Sequence, residues 1–501
     1  MLFLFVLFFV FGCGSGGGSA SSTPANSLVV SIQAEPPTLD PSISSALVDR
    51  QVMASLYDKL VDIDESGEIV PVLAESFEAS DDGMSYTFKL RDGIEFHDGT
   101  PFDAEAVKFN LDRYRQEDST RSTELGSVEN VEVVDPRTVR VALNEPFSPF
   151  LAVLTDRAGM MVSPAAVEKS GEDYANNPVG TGPFKFVERV RGDHITVEKN
   201  PGYWQEGLPK VDEVVYRGIE DKNVQLQNLR SGQLDMIDQI PFNEVRTLEE
   251  GGDYKVINET GLGFQGFYLN LTRPPFDDPN LRRAVYEMAD REAIVGAVLR
   301  EVGGAAGNSP FGPDSFAHGE SDEAEPPNVK EARAALEEAG MPDGFEFTMK
   351  LPATPDGQQL GRVIQQTMEP AGIKVNLEQL EFGALLEDRQ AGDFEALQLG
   401  WSGRIDPDQN IYDFVVTDAG NNDSGYSNAR VDELLNEARG MSDTGERKRL
   451  YDEAVSILHD EVPYVYLYHE NNLYAMHPSV KGFEYHPDGI LRLAGVSKSA
   501  E

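Results

Sequence analysis

Cysteine is almost missing from this chain: of its 501 residues one is Cys, at position 13. A lone thiol excludes an intramolecular disulfide framework, a thiol nucleophile with a resolving partner, and a zinc site built on Cys ligands. Histidine is scarce as well. The seven copies form no H-E-x-x-H and no other close pair, and His469-Glu470 stands as an isolated dipeptide, so a metal-assisted hydrolase lacks ligands at the required spacing. No G-x-S-x-G elbow offers a serine nucleophile. No apolar run reaches the roughly 20 residues that a membrane-crossing helix needs. Positive charge is short relative to negative, with 42 Lys and Arg against 86 Asp and Glu and a formal net charge of -44. Such a surface repels nucleic acid and anionic membranes. It reads as a solvated acidic coat of the kind that keeps proteins soluble in salty surroundings. The alternative, a cation-collecting surface, finds no dense acidic run with metal-ligand spacing to support it.

What is present is enough for a large soluble body. At roughly 150 residues per domain the length corresponds to about three domains or two large lobes, and 40% hydrophobic with 26% charged residues is an ordinary globular balance. The N-terminus is distinct. Leu2 to Phe11 is an apolar run of signal-peptide type. It ends in Val10-Phe11-Gly12-Cys13, which resembles a bacterial lipobox with Cys13 as the lipid-anchored first residue of the mature chain. Phe11 is bulky for that motif and no Lys or Arg precedes the run, so a chance Cys in an ordinary signal peptide is the alternative. Gly14 to Asn26, rich in Gly, Ser, Ala and Thr, has the composition of a flexible tether. The expected location is the periplasm or the outer face of the cytoplasmic membrane, with the membrane contacted through the N-terminal lipid only.

Along the body, Leu28 to Ile32 alternates as a strand, and Val48, Val52 and Leu56 follow at helical spacing. In "DDGMSYTFKLRDGIEFHDGTPF", Tyr86, Phe88 and Leu90 alternate, and Asp92-Gly93 predicts a hairpin into Ile94-Glu95-Phe96. Asp103 stands as the N-cap of a helix whose apolar face is Val107, Leu111 and Tyr114. His97 has no second ligand or nucleophile beside it, so a structural role is expected. Gly180-Thr181-Gly182-Pro183 is a poor phosphate cradle, since Pro183 lacks an N–H and no Gly-Lys-Ser/Thr follows. A second hairpin is expected around Asp135-Pro136. From Val211 the rhythm becomes strand, helix, strand, and between Asn328 and Trp401 helices and strands alternate as in a parallel sheet flanked by helices.

Four blocks carry a resemblance. "VLAESFEASDDGMSYTFKLRDGIEFHDGTPFDAEAVKFNLDR", "PVGTGPFKF" with "RGDHITVEKNPGYW", "NLTRPPFDDPNLRRAVYEMADREAIV", and "LGWSGRIDPDQNIYDF" with "YSNARVDELLNEAR" resemble, in order, the signatures of family 5 extracellular solute-binding proteins. Those are the peptide, oligopeptide and nickel-binding receptors of ABC importers. The resemblance implies an α/β fold of the periplasmic binding protein type II kind, a Venus flytrap of two lobes with an inserted β-rich domain. By analogy residues 1–12 form the signal peptide and 13–27 the tether. Lobe I takes 28–48, 178–258 and 474–501, the inserted domain 49–177, and lobe II 259–473. It further implies a monomer without cofactor or catalytic residue, capturing a small, peptide-like solute by hinge closure and presenting it to permease subunits driven by a cytoplasmic ATPase.

The resemblance also points to ligand contacts in the loop "GWSGRIDPDQNIY": Trp401 as an apolar wall, Arg404 as a forked cation for carboxylate or phosphate, Asp406 for an amine or to hold Arg404, and Asn410 and Tyr412 as polar edges. Thr38 after the first strand, and Phe264 and Gln265 near a crossover, are positional candidates. Peptide-binding members commonly carry an Asp just after the Trp-Ser/Thr-Gly of this loop, to hold the ligand's amino group. Here Arg404 stands at that place, and "KLPATPDGQQ" lacks the Arg that dipeptide binders often use for the ligand carboxylate. An anionic or modified ligand is therefore reasonable. A nickel chelate, an oligosaccharide, a cell-surface hydrolase and a signalling receptor or holdase are the other readings.

Overall fold

A computed structural model describes residues 26–319 and 322–499; the apolar leader and Cys13 lie outside them. The first strand, Ser27–Ile32, has parallel partners on both sides, Glu213–Gly218 and Met236–Ile237. A strand covered on both faces and both edges needs apolar residues almost throughout, and Leu28, Val30 and Ile32 are fully buried. The helix Lys222–Arg230 makes the crossover between its two partners. Asp221 caps it by accepting N–H bonds from Asn223 and Val224, and Gly232 at φ +74° turns the chain out of it.

One strand organises the whole molecule. Tyr464–Met476 pairs through its first half with Gln265–Leu269 and through its second half with Lys255–Thr260 and Met236–Ile237. It thereby joins two sheets into one of 12 strands. On one side lie the strands Gln265–Leu269, Ala396–Gln398, Glu346–Pro352 and Lys374–Leu380; on the other lie Met236–Ile237, Ser27–Ile32, Glu213–Gly218, His194–Lys199 and Phe184–Val190. Each side is a lobe, and the chain crosses between them at 260–265 and again at 468–471. The crossing is tied by polar side chains: Asn471 Nδ2 donates to Asn258 Oδ1 at 2.7 Å, and His469 Nδ1 lies 2.8 Å from the Gly263 carbonyl. The apolar core is continuous beneath it, with Leu226, Phe242 and Leu248 from one side in the same cluster as Phe267, Phe347 and Leu467 from the other.

The expected α/β alternation is seen. Glu346–Pro352 runs parallel to both Lys374–Leu380 and Ala396–Gln398, with Pro355–Met368 and Phe382–Ala391 as the intervening helices. Asp103 caps its helix as anticipated, its side chain accepting from Ala106 N–H, and Asp278 likewise accepts from Asn280 N–H.

The residues 74–143 hold a separate four-stranded antiparallel sheet with its own core of Phe88, Leu111, Tyr114, Val139 and Phe150. Here one expectation needs correction. Ser85–Leu90 does not form a hairpin with Ile94-Glu95-Phe96; its neighbours are Ala74–Ala79 and Thr138–Leu143. The tight turn is at Asp82-Gly83, where Asp82 accepts from Met84 N–H at 3.0 Å. The second Asp-Gly only redirects the chain, and Ile94 and Phe96 close a small loop with Thr100 and Phe102 instead. Two identical dipeptides carry the same turn signal, and cross-strand burial decides which one makes a ladder.

His97 serves the scaffold. Its Nε2 lies 2.9 Å from the Gly182 carbonyl, and its Nδ1 accepts from Gly180 N–H at 3.3 Å. Burial pushes its pKa down to about 4, so the ring is neutral. The glycines it holds are packed on a helix end: a Cβ on Gly180 would lie 2.1 Å from the Leu56 carbonyl oxygen. The segments flanking the four-stranded sheet pack on the first lobe. Val52, Met53 and Leu56 of the helix Leu47–Leu56, and Met160, Val162 and Tyr174 further on, share a core with Leu28 and Val30.

Candidate functional site

The strand Ala396–Gln398 ends in Leu399-Gly400-Trp401-Ser402-Gly403-Arg404, which crosses over the segment 262–264 before the helix Asp408–Val415 begins. Trp401 and Phe264 exchange both backbone hydrogen bonds, at 2.8 and 3.0 Å. Only glycine fits where the two segments touch. Gly403 sits at φ +78°, and a Cβ there would lie 2.2 Å from the Leu262 carbonyl carbon; one on Gly263 would lie 2.1 Å from the Trp401 oxygen.

Asn410 clasps this loop. Its Oδ1 accepts from Trp401 Nε1 at 3.0 Å and from Arg404 N–H at 2.8 Å, and its Nδ2 donates to the Arg404 carbonyl at 2.8 Å. The Trp401 ring is held edge-on to Phe414 and lies beneath the Arg404 guanidinium, 4.3 Å from its carbon. Trp401, Arg404 and Asn410 thus come together, with Asn410 working inside the loop.

Arg404 reaches the opposite lobe. Its Nε lies 2.7 Å from Asp156 Oδ2, while Nη1 donates to Gly403 O and Ser402 Oγ. Burial pushes the Arg404 pKa down to about 10 against the support of Asp156, which leaves it fully charged at neutral pH. Burial alone would raise Asp156, but Arg404, Arg50 and Arg157 together hold it well below the usual carboxylate range. Asp156 Oδ1 is 2.9 Å from Arg50 Nε, and Arg157 Nη1 is 3.4 Å from Oδ2. One carboxylate therefore bridges a guanidinium of each lobe. Further contacts cross the gap: Ser148 N–H donates to the Arg439 carbonyl at 2.7 Å, and Lys222 Nζ pairs with Asp356 Oδ2 at 2.9 Å.

The remaining candidates are placed as follows. Asp406 does not hold Arg404; it takes both terminal nitrogens of Arg447, at 2.9 and 2.5 Å, and also the Asp408 N–H. Tyr412 donates to Asn436 Oδ1 at 2.8 Å with its ring under the Arg439 guanidinium, which also lies over Phe147 of the other side. Phe264 is 2% exposed, enclosed edge-on by Phe414, Tyr464 and Tyr466, so its ring packs beneath the loop. Gln265 Oε1 accepts from Gln398 Nε2 at 3.3 Å. Thr38 shapes the turn after the first strand, its Oγ1 accepting from Asp40 N–H at 3.2 Å.

Sequence reasoning missed Asp156, Arg50 and Arg157. A signal existed. Asp156-Arg157 is an adjacent pair of opposite charges inside the otherwise apolar "FLAVLTDRAGMMV", and Arg50 lies one turn from Val52 and Met53 on a buried helix. Charges retained in such surroundings need partners. Among the described residues no group of three His, Cys, Asp or Glu side chains is arranged to hold a metal ion, and no helix is long and apolar enough to cross a membrane.

Two lobes that share a crossing strand pair and meet through ion pairs have the architecture of a clamp-type receptor for a small molecule. Residues 68–423 match the family model described as bacterial extracellular solute-binding proteins, family 5 Middle. The chain is 32% identical over 492 residues, 95% of each chain, to the glutathione-binding protein GsiB of Salmonella paratyphi A. Among solved structures it is similar to the ABC transporter-associated periplasmic binding protein DppA of Helicobacter pylori in complex with the peptide STSA (TM-score 0.85, 28% identity, 94% and 98% of the two chains covered). It is equally similar to the PBP AgaA of A. tumefaciens R10 in complex with agropinic acid (TM-score 0.85, 28% identity, 95% and 99% covered). The chain belongs to family 5 of the bacterial extracellular solute-binding proteins.

Proposed function

We propose that this receptor captures a peptide-like, carboxylate-bearing solute between its lobes and presents it to the permease of an ABC importer, as a monomer and without chemistry on the ligand. One observation carries the reading: Arg404, at the centre of the glycine-framed Trp401 loop, meets Asp156 of the facing lobe, the same carboxylate that holds Arg50. Contacts on both lobes favour the closed form, and a solute that adds more of them shifts the population further toward it. Two relatives support the chemistry by their names, one binding glutathione and one agropinic acid. Trp401, Arg404, Tyr412 and the facing Arg50 are the side chains assigned to ligand contact; Asn410, Phe264 and Asp406 hold the loop and its supports in place. The lobe limits near 259 and 474, the leader to residue 12 and the acylation of Cys13 belong to the same proposal.

Thermal unfolding against glutathione, dipeptides, oligopeptides, sugar acids, nickel chelates and oligosaccharides tests it. A true ligand at 100 times its Kd stabilises by about 2.7 kcal/mol. Turnover of any member would instead favour an enzyme, and incorporation of radiolabelled fatty acid into the wild type but not into Cys13→Ala checks the anchor.

A further inference from the structure

The network that joins the lobes contains two buried polar atoms with no hydrogen-bond partner in the protein. Nη1 of Arg50 is one, on a residue 2% exposed whose Nε is held by Asp156. Oε2 of Glu124 is the other, its Oε1 lying 2.5 Å from Arg121 Nη1. Buried charged atoms are normally bonded, so each calls for a complementary group.

The two atoms belong to one connected set. Arg121 Nη2 donates to the Ser44 carbonyl at 3.1 Å, Ser44 Oγ accepts from Arg157 Nε at 2.8 Å, and Arg157 contacts Asp156, which binds both Arg50 and Arg404. Arg404 is within the electrostatic reach of Glu124, Arg50 and Arg121. One nitrogen of a cation and one oxygen of a carboxylate thus lack a partner near a guanidinium that faces them from the opposite lobe.

We propose that Arg50 and Arg404 together receive the carboxylate, and Glu124 the ammonium, of an α-amino-acid head group on the ligand. This rests on the capture reading above and narrows it. An ordinary peptide carries its ammonium and carboxylate on different residues. A free amino acid, or a residue joined to the rest of a peptide through its side chain as in a γ-glutamyl linkage, presents both charges on one carbon. The network therefore selects γ-linked over α-linked glutamyl peptides.

The test is isothermal titration of the intact mature protein with γ-Glu-Cys-Gly, its α-linked isomer, its N-acetyl and α-amide derivatives, free amino acids, and neutral and cationic solutes. The expected result is that the γ-linked peptide or a free amino acid binds at least about tenfold more tightly than the α-isomer and the blocked forms. Glu124→Gln should narrow the preference for a free ammonium, and Arg50→Gln the preference for a free carboxylate. The head-group comparison on the wild type needs no variant, so a variant that fails to fold leaves the test intact. Equal binding of the α-isomer or the blocked forms, or no binding of any head-bearing member, overturns the inference. If a neutral or cationic solute then binds, capture survives while this subsite does not.

Discussion

Asp156→Asn removes one negative charge at the point where the lobes meet. The wild-type side chain is almost fully buried, with Arg404 Nε at 2.7 Å, Arg50 Nε at 2.9 Å and Arg157 Nη1 at 3.4 Å. At an effective dielectric of about 20, unit charges about 4 Å apart interact by about 4 kcal/mol. Desolvation cancels much of that gain, but deleting one partner leaves the others buried without compensation, which typically costs about 3–5 kcal/mol. Arg50 and Arg157 stay on the same side as Asp156 when the lobes part; only the Arg404 share depends on closure. The variant should therefore lose global stability and also open, raising the radius of gyration in X-ray scattering. A double-mutant cycle with Arg404→Gln isolates the closure share, and a coupling of about 1 kcal/mol or more is expected. Because Asp156 is held below the ordinary carboxylate range, its contribution is fully present above the unfolded value near about 4 and is lost only as pH falls through the depressed folded value. Additive single effects, within about 0.5 kcal/mol, together with unchanged scattering, would refute the idea that this carboxylate holds the lobes together.

Three other outcomes are expected. Asp238 carries a buried Oδ1 without a partner, and burial pushes its pKa up to about 7. The folded state therefore binds the extra proton between about pH 4 and 7, stability falls as pH rises through that window, and Asp238→Asn should raise the melting temperature at pH 8 while changing little at pH 5. Asn410→Ala strips three hydrogen bonds from the Trp401 loop and should cost about 2–4 kcal/mol; in a Trp204→Phe background the emission of Trp401 should shift red, and an unshifted spectrum would show that the clasp does not orient the ring. With a net charge of -44, raising salt from about 0.1 to 1 M shortens screening from about 10 to 3 Å and should raise the unfolding midpoint; a falling midpoint would contradict a self-repelling coat.

Period and punctuation made much of this architecture readable in advance. The helix cap at Asp103 and the alternation from 328 to 401 follow from spacing over a few residues, which the structure keeps. The partner of Ser85–Leu90 was misread because both flanking Asp-Gly pairs favour a turn equally, and only burial against Thr138–Leu143 discriminates. At the site, the loop holding Trp401 and Arg404 was legible while its counterpart was not. Asp156 lies far away in the chain, and no local pattern says which guanidinium a buried carboxylate will meet. Asn410 and Asp406 looked like ligand contacts because polar loop residues do; the loop spends them on its own carbonyls, N–H groups and Arg447.

The shared strand also sets the order in which the polypeptide can finish folding. Met236 pairs with Met476, and Val480, Leu491, Leu493 and Val496 fill the same cluster as Leu28 and Val30. The half of the protein that leaves the ribosome first lacks a wall of its interior until residues 476–496 have been made. A nascent chain built this way cannot lock early.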